Sequence, residues 1–231
     1  MILGENGEKM SKSRGNVVNP DEMVETYGAD AFRTYELFIG AFDQATPWST
    51  QGLSGCHKFL DRVWNLKDMI AEGSEYSSDM ESAMHKTIKK VTEDIEKIKF
   101  NTAIAALMAL VNDFYKKGSV NKAEYKTLIT LLNPFAPHIT EELWEMMGFG
   151  GVLSDTSWPK FDEAKTIDDE IELAVMMGGK IKAKIMVASD ATEDAIKEIA
   201  LSDAKVKEAL AGKNIMKVIV VPGKLVNIVA K

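Results

Sequence analysis

The spacing of the apolar residues changes near residue 160, and this change restricts the fold more than any other feature of the chain. Between residues 51 and 160 apolar side chains recur every three or four positions, which is the period of an amphipathic helix. They form two stripes, Leu53, Cys56, Leu60, Val63 and Ile70, and then Met80, Met84, Ile88, Val91, Ile95 and Ile98. Beyond residue 170 apolar and polar residues alternate, as in strands with one buried face. The sequence therefore predicts an α-helical bundle followed by a small α+β domain.

Turn signals divide the helical part into short, connected helices. A helix from Asn101 to Tyr115 ends before Gly118, and the next helix runs toward Leu132 and ends before Pro134. Short loops between amphipathic helices favour an antiparallel bundle. We therefore expect three blocks, with a loop and connecting helices in residues 1–50, the bundle in 51–160 and the α+β domain in 161–231.

The last block is predicted to have the order β-β-α-α-β-β. Gly178 and Gly179 suit a two-residue hairpin turn, helices are expected near 192–201 and 203–210, and strands at 215–221 and 225–230. In the second strand Ile181, Ala183, Ile185 and Val187 alternate with Lys180, Lys182, Lys184 and Met186. The three lysines would lie on one face about 6.6 Å apart, at roughly 3.3 Å per residue. That spacing approximates successive phosphates of a nucleic-acid strand, although lysines on a solvent-exposed face would look the same.

A short cationic loop precedes the first predicted helix. It reads Lys9-Met10-Ser11-Lys12-Ser13 and continues into Arg14. Cations and hydroxyl donors in such a loop can stabilise the charge that develops on a nucleoside triphosphate as pyrophosphate leaves. An ordinary solvated loop is the alternative, since a charge run alone is weak evidence. The helix start at Asn19-Pro20, with an N-cap and a proline at the first helical position, anchors the loop.

These residues resemble a known family. Lys9-Met10-Ser11-Lys12-Ser13 matches the KMSKS motif of class I aminoacyl-tRNA synthetases, and Tyr27–Arg33 resembles the helix pair that follows it. The rest of the chain is similar to bacterial-type leucyl-tRNA synthetases from this loop to their C-terminus. The segments that carry the similarity, in family order, are Phe59–Trp64, Phe100–Ala105, Leu132–Ile139 and Val221–Leu225.

The resemblance implies roles for particular residues. Lys9 and Lys12 would be catalytic in leucine activation, and the loop would bind ATP, which acts with Mg²⁺. The bundle resembles the class I anticodon-binding domain, and the last block resembles the domain that contacts the outer corner of tRNA(Leu). The ATP-binding residues would be Lys9, Met10, Ser11, Lys12 and Ser13, and the tRNA contacts Lys180, Lys182, Lys184, Lys224 and Arg62. The whole enzyme of this family is expected to be monomeric.

Two differences from the family limit what the resemblance implies. The His-Ile-Gly-His-type motif and the editing domain that family members carry upstream do not occur in this sequence, so we expect the chain alone to be inactive in leucine activation. At the hairpin turn, Gly178 replaces the usual Asn and Lys182 replaces a frequent Arg. Each change removes a planar group that could stack or bind in a bidentate way.

The charge of the chain is unevenly distributed along its length. The net charge is −7, but residues 180–231 carry ten lysines against six acids, whereas residues 1–50 carry four basic and eight acidic side chains. A basic footprint therefore lies at the C-terminal end.

The sequence has no apolar run long enough for a membrane span, and its lone Cys56 suits a reducing, cytoplasmic environment. With three scattered histidines and a single cysteine we expect no metal site.

Two alternatives stay open. Valyl, isoleucyl and methionyl enzymes share the loop and the bundle, but no terminal coiled coil or cysteine-rich zinc module is present here. The second alternative is a non-catalytic RNA-binding or protein-docking module in which the helical bundle is the working surface.

Overall fold

The computed structural model describes residues 1–167 and 170–230. The chain forms two compact units, Met1–Thr166 and Ile167–Lys231. The first is mostly helical and the second contains a four-stranded sheet. The prediction of a mostly helical chain with a small sheet is thus confirmed, while the domain boundaries near residues 50 and 160 stay a prediction.

Seven α-helices build the described part of the first unit. They are α1 (Pro20–Tyr27), α2 (Ala29–Phe38), α3 (Thr50–Asn65), α4 (Glu81–Glu96), α5 (Phe100–Lys117), α6 (Lys122–Leu132) and α7 (Pro137–Met146). Two parallel pairs of very short strands connect distant segments, β1 (Ile2–Leu3) with β2 (Thr46–Pro47) and β3 (Ile70–Ala71) with β4 (Val120–Asn121). The predicted start of α1 is confirmed, since the Asn19 side chain accepts a hydrogen bond from the Asp21 amide and Pro20 is the first helical residue.

One apolar core joins these helices. α4 packs on α5, α2 on α3, and α6 on α7. The predicted stripe residues of α3 and α4 are buried, including Leu53, Cys56, Val63, Met84 and Ile88, each with no exposed surface. Burial of these stripes, at roughly 25 cal/mol per Å² of apolar surface, is what drives the helices together.

A buried carboxylate fixes the start of α6. Glu124 is fully buried and its side chain accepts hydrogen bonds from the backbone amides of Asn121 (2.8 Å) and Ser77 (3.0 Å). The Asn121 side chain in turn accepts from the Glu124 amide, which completes a capping box. Lys117 lies 3.7 Å from the same carboxylate and supplies an opposite charge. Glu124 therefore connects the segment before α4 to α6.

Two residues assigned to helical stripes lie elsewhere. Ile70 was expected on the face of α3, but α3 ends at Asn65 and Ile70 belongs to β3. Ile98 was expected on the face of α4, but α4 ends at Glu96, and Ile98 has a φ of 55° and is 53% exposed. Both helices stop earlier than the apolar period suggests, because an apolar residue just past a helix end continues the pattern by chance.

A polar stripe on α4 binds the segment that follows α7. Glu81, His85, Lys89 and Thr92 are spaced four, four and three residues apart and so share one helix face. They contact residues 158–166, which lead to the second unit, and Lys89 forms an ion pair with Glu163. The other contacts join Trp158 Nε1 to Thr92 Oγ1 (2.8 Å), Asp162 N to His85 Nδ1 (3.0 Å) and Lys165 Nζ to Glu81 Oε1 (2.6 Å).

The second unit has the predicted element order. Its elements are β5 (Glu170–Met177), β6 (Lys180–Ala188), α8 (Glu193–Ser202), α9 (Ala204–Leu210), β7 (Ile215–Val221) and β8 (Leu225–Ala230). The sheet order is β6-β5-β8-β7, with β5 and β8 parallel and the other neighbours antiparallel. One face of the sheet packs against α8 and α9, and its apolar side chains form a core with helix residues such as Ile196 and Val206.

A β-bulge in β6 changes the predicted arrangement of its lysines. Val175 pairs with Ala183 but Met176 pairs with Ile181, so Lys182 is the extra residue. Ile181, expected on the apolar face, is 59% exposed as a result. The prediction that Lys180, Lys182 and Lys184 share one face of β6 is therefore wrong. The extra residue shifts the register by one, which reverses the sheet face of the residues on the N-terminal side of the bulge.

Candidate functional site

The cationic loop forms a defined turn ahead of α1. Lys12 begins a 3-10 turn (Lys12–Arg14), for which Ser11 is the N-cap and Gly15, with φ 65°, is the left-handed C-cap. Lys9 and Lys12 are both exposed, whereas Met10 is partly buried against the core of the first unit. The Ser11 and Ser13 hydroxyl oxygens are 3.2 Å apart. Met10 thus anchors the loop while both lysines remain available to an anion.

Hydrogen bonds close the base of the loop. The Gly4 amide donates to the Glu8 carbonyl (2.8 Å), and the Arg14 guanidinium lies 3.6 Å from the Glu8 carboxylate. The Asn16 side chain accepts from the Ser11 amide (2.8 Å) and donates to the Lys9 carbonyl (3.3 Å). The residues on both sides of Met10 are therefore held by a single side chain.

The Asp30 carboxylate links α2, which follows the loop-bearing segment, to α7, the last α-helix of the first unit. Asp30, in the first turn of α2, is 8% exposed. One of its oxygens accepts from the Ile139 amide (2.6 Å), and the other lies 2.8 Å from His138 Nδ1. These contacts are at the N-terminus of α7, where a negative charge also interacts favourably with the helix dipole. His138 therefore helps to join α7 to α2.

Arg62 is held against α5. Its guanidinium donates to Asn112 Oδ1 (2.7 Å) and stacks over the Tyr115 ring at 4.5 Å from the centroid. The Tyr115 hydroxyl donates to the Arg62 carbonyl (3.0 Å). These contacts give Arg62 a packing role in the described structure, and its role as a phosphate contact stays a prediction.

The structure places the candidate lysines of the sheet at different positions. Lys184 pairs with Ala174 in β5, and Ala174 pairs with Leu225, the first residue of β8. Lys224 precedes Leu225 and lies in the turn between β7 and β8, where its amide donates to the Val221 carbonyl. Lys180 is opposite the buried Met177 and therefore starts on the other face, at the far end of the strand.

The sheet face that carries Lys184 is partly apolar. Met186 is 53% exposed and Val229 is 44% exposed. Lys184 also forms an ion pair with Glu172 (2.7 Å), and both side chains are exposed. Because exposed pairs are weak, about 0–1 kcal/mol, the lysine stays available to a stronger anion.

The donor types of the loop suit phosphate oxygens better than a metal ion. Residues 9–13 offer ammonium groups, hydroxyls and backbone amides that can donate to phosphate oxygens, but no carboxylate, which is the ligand that hard cations favour. Among the described residues there is no cluster of three or more His, Cys, Asp or Glu side chains able to hold a metal. Nor does any described helix have the length and apolar character needed to cross a membrane.

Comparison with known proteins identifies the family. Residues 1–46 match the profile of class I tRNA synthetases (I, L, M and V). Residues 78–198, more than half of the chain, match the profile of the anticodon-binding domain of tRNA ligase. The chain belongs to the family of tRNA ligases that carry this anticodon-binding domain. The resemblance inferred from the KMSKS loop and the later segments is thereby confirmed.

Individual relatives extend the match over the whole chain. A leucine–tRNA ligase of Alkaliphilus oremlandii is 54% identical over 231 residues, which are 100% of this chain and 29% of that protein. A LeuRS of Agrobacterium radiobacter, solved as a ternary LeuRS–tRNA–LeuAMS complex, is 31% identical with a TM-score of 0.75. The structural match covers 100% of this chain and 33% of that one. The chain thus spans about a third of the length of these relatives.

Sequence reasoning missed two side chains that position the site. Asn16 lies three residues after the motif and next to Gly15, and a polar residue beside a glycine at a loop end is a weak but usable signal for a side-chain-to-backbone bond. Asp30 gave no local signal of its partners, since Ile139 is 109 residues away in sequence. Long-range contacts of this kind become visible only in the folded structure.

Proposed function

We propose that this chain supplies the ATP-activating loop and tRNA-docking domains of a leucine–tRNA ligase acting in the cytoplasm. The complete enzyme would join leucine to ATP and then transfer it to the 3′ end of tRNA(Leu). One observation carries the proposal, a KMSKS loop with two exposed lysines on a hydrogen-bonded base. It occurs in a chain 54% identical over its whole length to a leucine–tRNA ligase.

Lys12 and Lys9 would act on the phosphates. In the first step the leucine carboxylate attacks the α-phosphorus of ATP, the bond to the bridging oxygen breaks, and pyrophosphate leaves with the developing negative charge. A lysine ammonium stabilises that charge most when the charge is largest, in the transition state. Ser11 and Ser13 can donate hydroxyl protons to the same oxygens. Mg²⁺ bound to ATP would neutralise further phosphate charge, with its protein ligands outside this loop.

The rest of the chain would dock tRNA. Residues 51–160 correspond to the predicted anticodon-binding-like block and 161–231 to the predicted terminal domain. The exposed Lys184 on β6, together with the net positive charge of residues 180–231, supports a phosphate contact at the sheet. The LeuRS of Agrobacterium radiobacter was solved in complex with tRNA, which supports tRNA as the class of partner.

The loop is tested in the complete ligase that contains this chain. Lys12→Ala should lower kcat for leucine-dependent ATP–pyrophosphate exchange by on the order of 10²–10³, which is typical for the loss of one preorganised donor. The KM for leucine should change little, because the loop contacts phosphate. Lys116→Ala removes the same charge from an exposed site on α5 and should leave kcat unchanged. An unchanged kcat in Lys12→Ala would contradict the proposed role.

The docking surface is tested with the purified chain. Filter binding with tRNA(Leu) and a non-cognate tRNA should show affinity that falls steeply from low to physiological salt. Alanine at three sheet lysines should weaken binding more than alanine at three exposed lysines near the helices. The two sets are Lys180, Lys182 and Lys184, and Lys205, Lys207 and Lys213. Binding that is insensitive to salt and to the first set would instead favour a protein-docking module.

We also expect the purified chain alone to show no leucine-dependent pyrophosphate exchange. The loop can stabilise the leaving phosphates only when another part of the enzyme holds ATP and leucine. Exchange activity in the purified chain, retained through an orthogonal purification step, would contradict this expectation.

A further inference from the structure

Asn16 follows Gly15, the C-cap of the turn that begins at Lys12. Its side-chain oxygen accepts from the Ser11 amide at 2.8 Å, and its side-chain nitrogen donates to the Lys9 carbonyl at 3.3 Å. An asparagine side chain provides both an acceptor and a donor, so one residue can satisfy both backbone groups. Both ends of the Asn16 amide group are therefore used on the loop.

Gly4 leaves room for this arrangement. A Cβ atom at Gly4 would be 3.2 Å from the Asn16 side-chain nitrogen, which is a close contact. The Gly4 amide also donates to the Glu8 carbonyl, so the chain before the loop packs directly beneath Asn16. The amide of Asn16 is thus enclosed between the loop backbone and the preceding segment, and it is only partly exposed.

The two bonds fix the backbone at the positions from which both cations project. One bond is made by Lys9 itself and the other by Ser11, the N-cap of the turn that begins at Lys12. Glycines with positive φ lie at either side, Gly7 at 76° and Gly15 at 65°. Glycine restricts the backbone least, so without the Asn16 contacts the loop between these two residues could adopt other conformations.

We propose that Asn16 is a positioning residue for leucine activation, acting by holding the Lys9–Ser11 backbone so that both lysines meet the leaving phosphates. This inference rests on the proposed function of the loop. Preorganisation matters because a misplacement of about 1 Å can cost on the order of 10² in rate. Asn16→Ala should therefore lower the kcat of pyrophosphate exchange by on the order of 10- to 100-fold, with little change in the KM for leucine.

A double-mutant comparison in the complete ligase separates positioning from general stability. If Asn16 acts through the lysines, Asn16→Ala should change kcat less than about twofold when Lys9 and Lys12 are already alanine, because residues that act as a unit are not additive. Asn19→Ala is the matched control. It removes the N-cap of α1 and should lower the Tm slightly while keeping kcat within about twofold.

The geometric premise is tested in the purified chain by amide hydrogen exchange. The Ser11 amide should be protected in the wild type and should exchange faster in Asn16→Ala, while the helical amides of α2 keep their protection. Equal Ser11 exchange in the two proteins would overturn the premise.

The kinetic outcomes distinguish this inference from the proposed function. If Lys12→Ala loses rate and Asn16→Ala does not, Asn16 has no positioning role although the loop still acts on ATP. If Asn16→Ala lowers the rate equally with and without the two lysines, it acts by another route and the inference fails. If Lys12→Ala keeps its rate, the proposed function fails and the inference fails with it.

Discussion

Replacing Asp30 by alanine should weaken the junction between the loop-bearing segment and the helical core. Asp30 is 8% exposed, and its carboxylate accepts a hydrogen bond from the Ile139 amide (2.6 Å). A hydrogen bond to a charged group contributes about 1.5–3 kcal/mol, and a carboxylate at a helix N-terminus adds about 0.3–1 kcal/mol. The His138 side chain is 73% exposed, so its pairing contributes about 0–1 kcal/mol. We expect Asp30→Ala to lower the free energy of unfolding by about 2–5 kcal/mol.

Urea unfolding followed by tryptophan fluorescence suits this measurement. All four tryptophans lie in residues 1–166, so the signal reports on the first unit alone. Asp30→Asn keeps an acceptor for the Ile139 amide and should cost less, about 1–2 kcal/mol. Asp61→Ala, an exposed aspartate 3.7 Å from His57, is the matched control and should cost less than about 1 kcal/mol. A free energy of unfolding for Asp30→Ala within about 0.5 kcal/mol of wild type would refute the reasoning.

The remaining predictions concern buried groups of the same unit. Glu124→Ala removes a fully buried acceptor and should lower the free energy of unfolding by about 3–5 kcal/mol in urea; a loss below about 1 kcal/mol would contradict this. Burial raises the pKa of the Cys56 thiol to about 12, so iodoacetamide at pH 8 should label Cys56 only after unfolding, and rapid labelling of the native chain would contradict its burial. Burial acts to raise the pKa of Asp94, but hydrogen bonds from Lys90 and Thr102 outweigh it and the pKa is lowered. Asp94 therefore stabilises the fold above its unfolded pKa of about 4, and this stability is lost as the pH falls through the lowered folded value, so Asp94→Asn should flatten acid unfolding curves.

Elements with strong local signals could be predicted from the sequence. The start of α1 at Pro20, its N-cap and both strands around Gly223 agree with the structure, since caps, prolines and alternation act over a few residues. The family could also be predicted from the KMSKS motif and the residues that follow it. For these parts local chemistry and the fold favour the same conformation.

The parts that could not be predicted depend on contacts between distant residues. The bulge at Lys182 follows from the register of β5 and β6, and alternation in one strand does not report it. The early end of α4 before Ile98 depends on the turn into α5, where the Lys99 amide donates to the Asp94 carbonyl. In the candidate site, residue type and spacing pointed to Lys9 and Lys12, whose catalytic roles stay a prediction, whereas the bonds of Asn16 depend on how the loop folds.

The central claim is that Lys12 stabilises the leaving pyrophosphate during leucine activation. Its most direct test is the single-turnover rate of leucyl-adenylate formation by the complete ligase, with leucine and ATP both saturating, because this isolates the chemical step from binding and release. Lys12→Ala should lower that rate constant by on the order of 10²–10³. A rate constant equal to that of the wild type would contradict the account.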